Sequence, residues 1–551
     1  MNARFAGMWL AVMLVPIGGG IAQEALPPPA ASYKLGAPVF EKLGTLHHPV
    51  TTSSKEAQRY FDQGLLLAYG FNHPEAVRSF KEAARLDPDC AMAHWGIALT
   101  LGPNINAPMT EQAGVEAWQA LQKARALAPK ASEREQAYIQ ALSTRYEEKP
   151  QTDRAKLDKA YADAMRELSK RYPDDLDAAT LSAEAVMDTM PWEYWTPDKR
   201  PKPGTAEVLA ALESVLAREP NHTGANHFYI HAVENSATPE NGLPMAYRLE
   251  DLAPQAGHLV HMPSHIYLKV GLYHRATMVN ERAVKADESY ISACRIQGFY
   301  PAMYYPHNIH FLWYSSAMEG RSADALKAAR EVSGYVSVCR PDAVEASRQS
   351  PIPVLTLARF KRWDDVLKEP QPAPSALFES AMFHYARGLA FAAKNQLEEA
   401  TREKQALAKI LADPKAKSLD TIHLPATHVL TVADNELAGA IAARRGDVDG
   451  MLSHYRAAIR AQDELPYMEP PFYHYPVRQS LGFALLDAKR PTDAEAVFRE
   501  DLKKTPHNGW SLFGLAESLR AQGRDTEADE ATKRFQEAWH YADVKLTPTL
   551  F

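Results

Sequence analysis

The chain echoes itself at a spacing of 34 residues, and this period limits its fold more than any other feature. His227 and His231 return as His261 and His265, and Thr492-Asp-Ala494 returns as Thr526-Glu-Ala528. A repeat of this length is one supersecondary unit that cannot bury its apolar face alone and must stack on its neighbours. A second echo runs at 49 residues, from His258 and His261 to His307 and His310, with Gly271 answered by Gly320. Equivalent positions on stacked units point the same way. Imidazoles from neighbouring helices are therefore expected on one surface.

The units are helical. From Ser53 onward, segments of roughly 12–18 residues carry apolar side chains at i, i+3, i+4 and i+7 and are separated by short Asp/Pro/Asn/Gly breaks. Ala57–Gly70 and His73–Leu86 form the clearest antiparallel pair, closed by Asp87-Pro88-Asp89. Gly64, Tyr69, Ala76, Phe80 and Pro88 in this pair, with Trp510, Gly514 and Ala528 in the last one, resemble the tetratricopeptide repeat signature. The resemblance implies an all-α, right-handed superhelical solenoid of antiparallel helix pairs, whose first helices line a concave, ligand-binding face. NHFYIHAVENS, APQAGHLVHMPSHIY and YYPHNIHFLWY further resemble segments of bacterial exported tetratricopeptide proteins with HAVE and HMPSHIY-type motifs. That likeness bears on fold and compartment, not on a reaction.

Residues 1–22 read as a secretory signal, with Arg4 ahead of the apolar stretch Phe5 to Ile17 and Gly20-Ile21-Ala22 before Gln23. The alternative is an uncleaved anchor, because Phe5 to Ala22 is just long enough to span when tilted. Three consecutive glycines and Pro16 favour cleavage, which predicts a periplasmic or secreted chain with no membrane span. The expected order is a flexible leader (23–52), N-terminal helices (53–190), a Pro/aromatic loop (191–204), a histidine-rich centre (205–345), further repeats (346–462) and C-terminal repeats (463–551). Three irregular insertions, at 101–110, 191–204 and 463–476, are functional lids or packed surface loops. A net charge of −7 argues against a nucleic-acid partner. Cys294 and Cys339 either pair in an oxidising compartment, leaving Cys90 free, or all three remain thiols.

The histidines carry the functional expectation. His227, His231 and Glu234 share one helical stripe, His258, His261 and His265 another, and His307 and His310 lie on a third helix. Pro263 reads as a helix start and would move His258 and His261 into the turn before it, which weakens the second stripe. A divalent transition metal needs neutral imidazole or carboxylate lone pairs held rigidly, and an i, i+4 pair is preorganised for that. The expected ligands are His227, His231, His261, His265, His307 and His310, supported by His258, Glu234 and Asp188. Imidazole donors without thiols suit zinc or copper and disfavour calcium and magnesium. Glu234 and Glu184 are the candidate acids or bases should a coordination position stay open. His474 either closes over the groove or packs at the surface. No HExxH, GxSxG or Walker motif is present, and no nucleotide or organic cofactor is evident. The competing reading is a metal-free scaffold that grips a peptide or protein partner of the cell envelope.

Overall fold

The computed structural model describes residues 36–151, 153–294, 299–339 and 344–547. The expected signal segment (1–22) lies outside these residues, and so do the side chains of Cys294 and Cys339. Every regular element among the described residues is helical, and successive helices form antiparallel pairs. The pairs begin with Lys55–Tyr69 against His73–Leu86 and end with Gly509–Arg520 against Asp525–Ala538. Among the described residues the fold is an all-α solenoid of paired helices. No helix among the described residues is long and apolar enough to cross a membrane.

Local chemistry explains the repeat. Ser54 caps the first helix by accepting from the Ala57 N–H at 3.1 Å. Phe80 on the second helix fills a notch between Gly64 and Gly96, where a Cβ would lie 2.8 and 2.5 Å from its ring. Phe498 sits in the same way between Gly482 and Gly514. A methyl group at any of these glycines would separate helices that stack through one aromatic side chain.

Two features depart from the expected open spiral. The leader is not free throughout 23–52: Ala37, Leu43 and His48 are buried, and the Phe40 N–H donates to Gln63 Oε1 at 2.9 Å. Both ends of the solenoid also fold onto its centre. Tyr69 packs against Gly224, Gly70 meets Leu259, and the Tyr290 hydroxyl bonds Asn72 at 3.2 Å. From the other side, Gly271 meets the backbone at Pro506, Gly320 meets Trp539, and Trp510 Nε1 donates to the Ala317 carbonyl at 3.1 Å. The concave face is therefore filled where the histidines lie.

Candidate metal centre

The helix Thr223–Val233 is buried at every position, so His227 and His231 enter the core rather than a groove. His222 caps this helix: its Nδ1 accepts from the Ala225 N–H at 3.2 Å, and its Nε2 lies 3.2 Å from Asp177. It belongs to a separate knot in which His48 and Tyr69 also bond Asp177, whose carboxyl is held far below the usual carboxylate range. In the next unit, Met262 joins Gly257–His261 to Pro263–Val270 with helical dihedrals (φ −51°, ψ −38°). Pro263 therefore does not displace the residues before it. His258, His261 and His265 follow one helical path, and the expected entrance turn is absent.

Six imidazoles form a continuous row in two sets of three. One set is His227, His231 and His258, and the other is His261, His265 and His307. Within each set the ligand nitrogens lie within 4.8 Å of one another. Ring centroids are 4.8 Å apart for His227–His231, 5.0 Å for His227–His258, 4.9 Å for His261–His265 and 4.8 Å for His261–His307. Across the boundary, His231–His265 and His258–His261 are each 5.9 Å apart.

Outer partners fix the proton positions. His227 Nδ1 donates to the Tyr69 carbonyl at 2.6 Å. His261 Nδ1 donates to Asn280 Oδ1 at 2.7 Å, because the Asn280 amide N–H is engaged with the Ala276 carbonyl. His265 Nδ1 lies between two carboxylates, 2.7 Å from Glu234 and 2.8 Å from Glu469. Glu234 reaches His231 Nδ1 at 3.2 Å with its other oxygen. The Nε2 atoms of His261 and His265 consequently face each other at 3.0 Å, each opposite an engaged Nδ1. Held as a cation by its two carboxylates, His265 donates its Nε2 proton to the His261 Nε2 lone pair across this contact. Burial lowers the His265 pKa, but Glu234 and Glu469 reverse this and raise it to about 9. Burial and the neighbouring imidazoles hold His227, His258, His261 and His307 well below the ordinary value, so these four are neutral. Burial alone would raise the Glu234 carboxyl, yet His265 and His231 bring it down to about 2.

The shell around the row is apolar and comes from distant parts of the chain. Phe71, from the first inter-helix turn, lies 4.7 Å from His227, 5.5 Å from His258 and 5.9 Å from His231. Phe311 contacts His261, His265 and His307 at 4.5, 4.6 and 4.8 Å. All three irregular insertions converge here. Trp192 lies 5.2 Å from His231, and Glu469 reaches His265. Asn106 bonds the hydroxyl of Tyr304, whose ring sits 4.6 Å from His258.

Several expected participants lie elsewhere. His310 leaves the row, stacking 5.3 Å from Trp313 and facing a small cleft with Arg348 and His474. His310 turns to Trp313, and Phe311 on the next position faces His261 and His265 instead. Asp188 bonds Arg145 at 2.6 Å and is not a supporting ligand. Glu184 joins that same buried Arg145 cluster, where Asp188 and Arg145 act on its carboxyl, so it is no acid or base for the imidazoles. Glu234 is inside the site, but both its oxygens lie against imidazoles. His474 is buried beside Tyr385, Tyr473 and Tyr475, neither closing the row nor lying at the surface. The residue missed from sequence is Glu469, 204 positions from His265; its only signal was membership of an irregular loop.

No protein-family model matches this chain, and no curated protein matches it. Among solved structures the chain is similar to the human IFIT1 dimer with m7Gppp-AAAA, at 12% identity over 89% of this chain and 91% of that one, TM-score 0.30. It is also similar to yeast Tom70, at 14% identity over 89% and 93% of the two chains, TM-score 0.28. Likeness at this level carries no residue, ligand or partner across.

Proposed function

We propose that this chain is a helical-repeat metalloprotein that holds a zinc or copper ion on His261, His265 and His307. The observation that carries the reading is the convergence of one nitrogen from each of these three imidazoles within 4.8 Å of the others, with an ion able to replace the proton that joins His261 Nε2 and His265 Nε2 at 3.0 Å. With metal–nitrogen bonds of about 2.0–2.1 Å, a 3.0 Å nitrogen separation subtends an angle of about 95° at the ion, below the tetrahedral angle of about 109° and widened by a small ring rotation. Asn280, Glu234 and Glu469 supply the outer carbonyl and carboxylate partners that ligating imidazoles require for orientation. Phe311 covers these three rings, while Phe71 and Trp192 cover the adjoining imidazoles, and this enclosure favours an ion over an extended peptide. Export through the N-terminal segment would place the centre in the periplasm or outside the cell. The reading includes no reaction, since Glu234 is engaged by the row.

A metal-free scaffold is the second reading, and a cavity of about 570 Å³ in the later repeats favours it. Its lining includes Arg359, Arg444, Trp363, Tyr455 and Asp487, a surface for an acidic partner segment. Elemental analysis separates the two readings. The full chain, produced without a histidine tag and passed over a chelating resin, is expected to retain zinc or copper at no less than one equivalent. His261→Asn with His265→Asn is expected to abolish retention at that set. A wild-type chain that retains no ion, and whose melting temperature ignores added zinc and copper, overturns the metal reading and leaves the scaffold.

A further inference from the structure

We infer that the row holds two adjacent ions, the second on His227, His231 and His258. The inference rests on the reading above for His261, His265 and His307. The two sets are copies of one arrangement. A shift of 34 carries His227 and His231 onto His261 and His265, and a shift of 49 carries His258 onto His307. Each set is an i, i+4 pair on one first helix plus one imidazole from the next. Each has its own phenylalanine lid, Phe71 for one and Phe311 for the other.

In the first set the inward nitrogens have no protein partner. His227 Nε2, His231 Nε2 and both ring nitrogens of His258 are buried without a hydrogen-bond partner. The His227 Nδ1 proton is held by the Tyr69 carbonyl, so its Nε2 presents a lone pair. A buried polar atom left unpaired costs about 1–3 kcal/mol, and three such rings in mutual contact are hard to retain for packing alone. Nitrogen donors within 4.8 Å of one another offer one cation several lone pairs at once. Imidazole-only donation selects late first-row ions, copper or zinc, over oxygen-seeking cations. Glu234 serves both sets, with one oxygen at His231 and the other at His265, so a single carboxylate offsets charge at both ions. Cross-boundary rings 5.9 Å apart make the two ions neighbours.

The copying also shows why the row does not extend to a third set. His310 stands 49 residues after His261, but the position 49 after His265 is Tyr314. The third pair lacks its second imidazole, and His310 turns to Trp313 instead.

The test is stoichiometry on the full chain without a histidine tag, saturated separately with Zn²⁺ and with Cu²⁺ and then passed over a chelating resin. Two equivalents of either ion are expected. His227→Asn with His258→Asn should retain one, and His261→Asn with His307→Asn should also retain one. Circular dichroism establishes that each variant is folded. One equivalent in the wild-type chain, kept by the folded first variant, overturns the second ion and leaves the first reading standing. No retained ion overturns both. Paramagnetic resonance of the copper-loaded wild type gives a readout without variants. Neighbouring ions couple and suppress the isolated-ion signal, whereas full intensity for all counted copper overturns the pairing.

Discussion

The chemistry of a buried imidazole is decided by what its second nitrogen touches. His261 shows this through Asn280, whose carbonyl oxygen takes the Nδ1 proton and turns Nε2 toward His265. Asn280→Leu is expected to weaken zinc or copper binding about 10–100-fold, with a stability loss of about 1–2 kcal/mol, by competition against a chromophoric chelator and by urea unfolding. Unchanged affinity would detach Asn280 from any positioning role. At this scale most of the row was legible in the sequence, because an i, i+4 spacing on a helix is a statement about geometry. His310 misled because spacing does not say which of two neighbouring positions turns inward, and Phe311 took that place. Glu469 was not legible at all, since nothing local couples a loop glutamate to a histidine two hundred residues earlier.

At the level of elements, the irregular insertions matter more than the regular repeats. The loop 463–476 is pinned by Glu469, which bonds His265 and also Lys269 at 2.8 Å, while the Lys269 ammonium sits 4.5 Å over the Tyr467 ring. Glu469→Ala removes a buried carboxylate from two cationic partners and should cost about 2–4 kcal/mol. Limited proteolysis is expected to cut between Tyr467 and Phe472 several-fold faster in this variant. Equal cleavage rates and equal melting temperatures would show that the loop is held by its aromatic contacts alone. Sequence marked all three insertions as irregular, but not where they go. Their composition shows that they break the repeat, and only the closed path of the helices brings them to one place.

For the whole molecule, burial of neutral imidazoles predicts acid sensitivity. His73, His310 and His474 lie outside the row, and burial lowers all three, His73 to about 4 and His474 to about 3. Their folded pKa values fall below the unfolded value of about 6.5, so below that pH the unfolded chain binds protons that the native chain refuses. Stability should therefore drop as pH falls from 6.5 toward 4, by up to about 1.4 kcal/mol per pH unit for each group. Urea unfolding of chelator-treated protein at pH 7, 6 and 5 measures the slope, and His474→Gln should reduce it by about one proton. A flat profile across that range would mean that these rings take up protons in place. The repeat period made the solenoid legible, because it reports contacts between consecutive units. It is silent on contacts such as Tyr69 with Gly224 or Trp510 with Ala317, which join units far apart in sequence.

That closure sets the order of events in the making of the protein. Phe71 arrives early from the ribosome and Glu469 late, and each abuts part of the same histidine row. Contacts of such long range are among the last to form. A nascent chain thus carries its donor nitrogens exposed for most of synthesis, and sealing them from water is the closing act of folding.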